Sequence, residues 1–272
     1  MKTILITGGA SGLGKGLALN YLSKGDRVIS IGESAPNGEL FLQEAKQLNA
    51  TDEATFIQAN LSLVKENRRI VEEIKNRFQE LDALIFCASR HCKERMETAE
   101  GLEFSFALDY LSRFILSYEL KECLEKTKNP TIINVCGTGM SGNVNWGDLQ
   151  HKNSFSPMKV MMHGSRLNDL SGVAFAHNDT TRNIKYALYN PMAVQTPGMM
   201  DFANFAMKLY YKLAAKPIEK AILPVIELVD NPSNSTIAAY KERKSISLNL
   251  PTYNIENAKK LLDMTTQLLE SI

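Results

Sequence analysis

Short β-rich runs alternate with helical patterns along almost the whole 272-residue chain. The runs are KTILIT (2–7), RVISI (27–31), ATFIQ (54–58), ALIFC (83–87), TIINVC (131–136), IKYALYN (184–190) and SISLN (245–249). Between them apolar residues recur every three or four positions, as at Leu13, Leu17 and Tyr21, at Ile70, Ile74 and Phe78, and at Tyr110, Phe114 and Leu124 in one long segment. Strands joined through helices need crossover connections, so the pattern predicts an α/β fold: a mostly parallel, doubly wound sheet with helices on both faces. Ligands of such sheets bind beyond the carboxyl ends of the strands, where the strand order reverses. No repeat, low-complexity linker or composition shift divides the chain, so residues 1–272 read as a single domain. The longest gap in the pattern, GTGMSGNVNWGDLQHKNSFS (137–156), and the segment 197–225 are expected on the substrate side.

The composition narrows the function. Basic and acidic residues number 31 and 30 and are spread evenly, which gives no footprint for nucleic acid. MKTILIT is too short an apolar run for a signal peptide and no later stretch reaches membrane-spanning length, so a cytoplasmic protein with no membrane partner is expected. Cys87, Cys92, Cys123 and Cys136 lack the spacing of a zinc site; they read as reduced thiols, and no metal is expected.

TGGASGLGKG follows the first strand and opens the first helix. Gly8, Gly12 and Gly14 let backbone amides approach a pyrophosphate closely, and Ser11 and Leu13 sit where the positive end of the helix would face it. The required strand before it and amphipathic helix after it make this a dinucleotide-binding loop, spaced T-G-x-x-x-G-x-G.

On these residues, together with EGLEFSFALDYLSRFILSYEL (100–120), TIINVCGTG (131–139), NPMAVQT (190–196) and AKKLLDMTTQLL (258–269), the chain resembles the short-chain dehydrogenase/reductase family along essentially its whole length. The retinol-dehydrogenase-like branch is the nearest in pattern. The resemblance implies a seven-stranded Rossmann-type sheet, NAD or NADP as cofactor, a small-molecule ligand, and homodimers or homotetramers built on helices. It also implies cofactor contacts. Asn60 and Leu61 match an Asp-Leu pair that meets adenine; FCAS, Phe86 to Ser89, keeps only Ala88 of an Asn-Asn-Ala-Gly motif; Pro191, Val194 and Thr196 match the segment that holds the nicotinamide carboxamide, with Met192 in place of a glycine. Glu33, after Gly32, stands where NADP-preferring relatives carry arginine. A carboxylate there repels a 2′-phosphate and accepts from a ribose hydroxyl, which favours NAD, unless it simply faces water.

The family's catalytic asparagine, serine, tyrosine and lysine fall at Asp109, Gly137, Met162 and Arg166, and all four are changed. Met162 cannot transfer a proton, and Arg166 stays protonated, able to bridge a ribose but not to tune a phenol. Tyr240 to Lys244, YKERK, has the right spacing but lies beyond the sixth strand and reads as a solvated stretch. Candidate substitutes are the hydroxyls of Thr138 and Ser141, or turn-forming groups with the same residues. Asp109 beside Arg166 is either a general base or a structural ion pair. His163 points about 100° away from its neighbour Met162 on a helix. Cys87 and Cys136 end neighbouring strands and either line the cleft or fill it, and Met158, Met161 and Met162 give an apolar wall or core packing. Two readings follow: an atypical enzyme, redox or non-redox, on a small and largely apolar substrate, or a catalytically silent sensor, scaffold or partner subunit. An ordinary tyrosine-dependent ketoreductase does not fit.

Overall fold

The computed structural model describes residues 1–140, 142–196 and 214–272. Among them, β1 (Thr3–Thr7), β2 (Arg27–Gly32), β3 (Ala54–Gln58), β4 (Ala83–Phe86), β5 (Thr131–Val135), β6 (Lys185–Asn190) and β7 (Ile237–Lys241) run parallel, and β8 (Lys244–Ile246) returns antiparallel. The order is β3-β2-β1-β4-β5-β6-β7-β8, so the direction of winding reverses between β1 and β4.

The sheet thus has eight strands among the described residues rather than seven. The parallel seventh strand is IAAYK, whose two alanines give little β signal. The expected SISLN strand contributes only its start to the edge, across a two-residue turn with Glu242 at φ 56°. Tyr240 therefore belongs to a strand and packs on the core, while Lys241, Arg243 and Lys244 are exposed.

Side chains alternate across the sheet as the β pleat demands. Ile4, Ile6, Ala83, Ile85 and Ile133 face α1 (Gly12–Ser23), α2 (Ala35–Gln47) and the helices Ile218–Ala221 and Leu223–Asp230. Leu5, Leu84, Phe86 and Ile132 face α3 (Val64–Arg77) and the helices that follow β4. Each such fully buried aliphatic side chain is worth about 1.5–3 kcal/mol of transfer free energy. Of the segment 197–225, residues 197–213 lie outside the described residues, and Ala221, Ile222 and Val225 are core rather than substrate-side.

The long helix expected after residue 100 is broken. It comprises α4 (Phe104–Phe106), a π-helical turn (Ala107–Leu111), α5 (Ser112–Glu119) and, past a break at Leu120, α6 (Lys121–Glu125). The buried Glu103 starts it by accepting from the amides of Ser105 and Phe106. α7 (Pro157–Asn178) follows the irregular stretch 137–156, which is a loop as expected, with Ser141 outside the described residues.

The last helix, Ile255–Glu270, packs on α7 and reaches the π turn. Its Ala258 and Leu261 join Tyr110, Leu111, Ile115, Leu167 and Leu170 in one apolar cluster, and the Tyr110 hydroxyl bonds Thr265 Oγ1 at 2.6 Å. One face of α7 and of the π turn is therefore covered by the chain's own last helix. No helix among the described residues is long and apolar enough to cross a membrane.

Candidate functional site

The β1–α1 loop sits at the reversal of strand order. Gly8 has φ 70°, and a Cβ there would lie 2.8 Å from the Ala88 amide nitrogen at the end of β4. A Cβ on Gly14 would lie 2.3 Å from the Gly8 carbonyl oxygen, so helix and loop meet backbone to backbone. Ser11 precedes α1 in extended conformation and makes no side-chain cap, so it leaves the first-turn amides to other acceptors. The Leu13 side chain is core, so only its first-turn amide is available to a ligand. A Cβ on Gly12 would meet the Thr196 methyl at 3.4 Å; the loop and the NPMAVQT segment thus face each other as the resemblance implies.

Around this cradle the other expected cofactor residues take their places. Glu33 is exposed just past β2, where its carbonyl accepts from Gln58. Asn60 spends its carbonyl oxygen on the amide and hydroxyl of Ser62, at 3.0 and 2.6 Å, which leaves its NH2 as a donor rather than an acceptor for an adenine amine. Leu61 is buried, so only its backbone is available to a ligand. Ala88 and the exposed Ser89 follow β4. Pro191 is half-buried, Val194 is buried, and Met192 adopts φ 60°, the left-handed region that a glycine takes without strain.

The catalytic positions are rearranged more deeply than the substitutions alone imply. Arg166 does not pair with Asp109. It is 2% exposed, Nη2 lies 2.7 Å from Asp169 Oδ2 three residues along α7, and the same nitrogen donates to the Gly137 carbonyl at 3.1 Å. Asp169 is fully buried and also accepts from Thr252 at 2.7 Å; burial pushes its carboxyl above the usual range, against the pull of Arg166. Thr138 is no free substitute for the missing serine: its hydroxyl is 2.7 Å from that of the buried Tyr253, in the same network. Arg166 Nε and Nη1 find no partner among the described residues.

Asp109 lies on the π turn, half-buried, with Oδ1 unpartnered. Burial raises its carboxyl above the ordinary range, opposed by Arg113, His91 and a hydrogen bond from Ser89. Its charged neighbour is therefore Arg113, one turn along the helix. Arg113 is 4% exposed and spans the ends of two strands, donating to Asn134 Oδ1 at 2.5 Å, to Val135 O at 2.9 Å and to Ala88 O at 3.0 Å. Sequence reasoning missed it; the signal was an arginine inside the apolar run YLSRFIL, four residues after Asp109.

The remaining candidates separate. His163 points away from the cleft, as expected: Nε2 accepts from the Asn145 amide at 3.2 Å and Nδ1 lies 3.1 Å from His151 Nε2, which pins the loop 137–156 to α7. Burial lowers its pKa to about 4. Cys87 and Cys136 do not line the cleft together, because they pack on opposite faces of the sheet, and burial pushes both thiols up to about 12. Met158 is exposed, and Met161 and Met162 are half-buried at the start of α7. No cluster of potential metal ligands occurs among the described residues.

Known proteins agree with this architecture. The family model for short chain dehydrogenase matches residues 2–148. The chain is 30% identical over 172 residues to Oxidoreductase AN1596 of Emericella nidulans, which covers 62% of this chain and 52% of that protein. It is 28% identical over 199 residues to an uncharacterized yeast oxidoreductase, YKL107W, covering 61% of it. The chain thus spans between half and two-thirds of these curated relatives. A longer match, 26% identity over 287 residues, covers 99% of this chain and 87% of human dehydrogenase/reductase SDR family member 12. Among solved structures, a Shigella flexneri short chain dehydrogenase complexed with NADP superposes with TM-score 0.68 over 89% of this chain and 97% of its own, at 12% identity, a likeness of fold.

Proposed function

This chain belongs to the short-chain dehydrogenase family, and from that premise we propose that it is an atypical, nicotinamide-dinucleotide-binding enzyme that handles a small, largely apolar ligand without the family's tyrosine. The observation that carries the reading is the pairing of an intact phosphate cradle with a dismantled proton relay: Gly8 and Gly14 leave no room for a Cβ, while Met162 offers no proton and Arg166 is held by Asp169.

The residues present fit a dinucleotide. The first-turn amides of α1 receive the pyrophosphate, and Asn60 with the backbone of Leu61 receives the adenine. Glu33 takes a ribose hydroxyl and disfavours a 2′-phosphate, which makes NAD(H) the preferred form. Ala88, Ser89, Pro191, Val194 and Thr196 frame the nicotinamide end. Arg166 stands where the family's lysine would reach the ribose, but its Nε and Nη1 are buried, so a ribose contact requires that side chain to be uncovered. A nicotinamide bound there supplies a hydride donor or acceptor; the chain's own residues grip and orient it. Met161, Met162 and Val160 give the ligand side its apolar wall.

A second reading, a catalytically silent ligand-binding protein, is favoured by the locking of Arg166, Asp169, Thr138 and Tyr253 to one another. Two measurements separate them. Calorimetry with NADH and NADPH is expected to show binding, tighter for NADH. NADH consumption or product formation with a panel of apolar aldehydes, ketones and alcohols supports the enzyme; cofactor binding with no turnover across that panel supports the silent protein.

A further inference from the structure

The cleft that lost its phenol has gained other titratable groups. His91, from the loop after β4, lines a cavity of about 10 Å³ together with Cys92, Ser105, Asp109 and Met161. That is roughly the room one water needs, and four of these five side chains carry a polar or ionisable atom. Asp109 is itself one of the four positions where the family's catalytic residues fall, so the cavity borders that site. Asp109 brings to it a carboxyl oxygen with no partner among the described residues, and a buried acceptor of that kind is costly unless a donor reaches it.

We propose that His91 and Asp109 hold one water between them and that this trio is the proton-exchanging site of the cleft, the imidazole doing what the missing phenol would and Asp109 acting as its positioning carboxylate. The proposal deepens the enzyme reading above and rests on it for its biological use. Imidazole suits the task because it changes charge near neutral pH, and a carboxylate beside it fixes tautomer and orientation. Electrostatic coupling of the two groups is already evident, since His91 pulls the Asp109 carboxyl down against the effect of burial.

The other groups facing the pair come from each packed element. Ser89, Arg90 and Cys92 flank His91 on the β4 loop, Glu103 and Ser105 precede the π turn, and Arg113 follows it. Pro157, Val160 and Met161 of α7 contribute no ionisable group. Arg113 is committed to Asn134, Val135 and Ala88, and Glu103 to the amides that start α4. His91 and Asp109 are the imidazole and the carboxyl that line the cavity itself.

Carboxyl carbon NMR across pH tests it, with Asp109 assigned from an Asp109→Asn sample. In His91→Gln the Asp109 midpoint should rise by about one unit, because a cation that favours the carboxylate is gone. A crystal structure of the wild-type protein, which needs no variant to fold, should show one water bonded to Asp109 Oδ1 and to the imidazole. An unmoved Asp109 midpoint in His91→Gln, or no water at Asp109 Oδ1 in the wild type, overturns the pair. Failure of NADH to bind the wild-type protein overturns the cofactor reading instead, and the NMR result still decides the pair.

Discussion

If Arg166 has been drawn into the core, separating it from Asp169 should cost far more than removing both. Arg166 is 2% exposed and Asp169 fully buried, and their contact is 2.7 Å. Asp169→Ala strips the guanidinium of its counter-charge in a site with no solvent and also removes the acceptor for Thr252 and the Gly139 amide. Breaking a buried pair in this way costs about 3–5 kcal/mol. Arg166→Met should cost less, about 2–3 kcal/mol, because the stranded carboxyl keeps its hydroxyl and amide donors and can take up a proton. That cost should shrink as pH falls. The double variant Arg166→Met/Asp169→Ala leaves no unpaired charge in the site and should lie within about 2 kcal/mol of the wild type. The cycle then gives a coupling of at least about 2 kcal/mol. Urea denaturation followed by fluorescence of the single tryptophan, Trp146, which packs in the cluster joining α5, α7 and the last helix, reads all four proteins. Additive single effects, or an Asp169→Ala cost below about 1 kcal/mol, would refute the buried pair.

Other consequences are equally direct. Gly14→Ala forces a Cβ to 2.3 Å from the Gly8 carbonyl, so the loop must shift; NADH affinity by calorimetry should drop at least about tenfold, and an unchanged affinity would remove the loop from the site. His163 titrates near 4 in the folded protein against an ordinary 6.5, so the unfolded chain binds the extra proton between those values. Stability should therefore be full above pH 6.5 and fall by roughly 3 kcal/mol as pH drops to about 4, a slope that His163→Gln flattens in urea titrations at several pH values. The covered helical face predicts a monomer by sedimentation; Leu261→Asp, at a site 1% exposed, should loosen the last helix and cost about 3 kcal/mol or more.

Much of the fold was legible because it rests on periodicity and loop chemistry. Six of the strands and the glycine loop with its helix follow from local pattern, while the placement of Thr196 opposite Gly12 follows from the family resemblance. IAAYK was not, because alanines carry no strand signal and its pairing with β6 is a tertiary choice. The break of the long helix into a π turn leaves no mark in an apolar period. At the site, the sequence shows that Met162 lacks a proton but not where Arg166 turns: two carboxylates compete for it, and the (i, i+3) neighbour on its own helix wins over Asp109. Thr138 likewise reads as an available hydroxyl until Tyr253, 115 residues later, is seen to engage it. His91 sits in a loop without period, and only the fold brings it to Asp109.

The central claim is that the cradle still receives a nicotinamide dinucleotide although the tyrosine relay is gone. Titration of the wild-type protein with NADH in a calorimeter tests it most directly. The account predicts saturable binding near one dinucleotide per chain, weaker with NADPH and lost in Gly14→Ala; no heat of binding with either NADH or NADPH would contradict it.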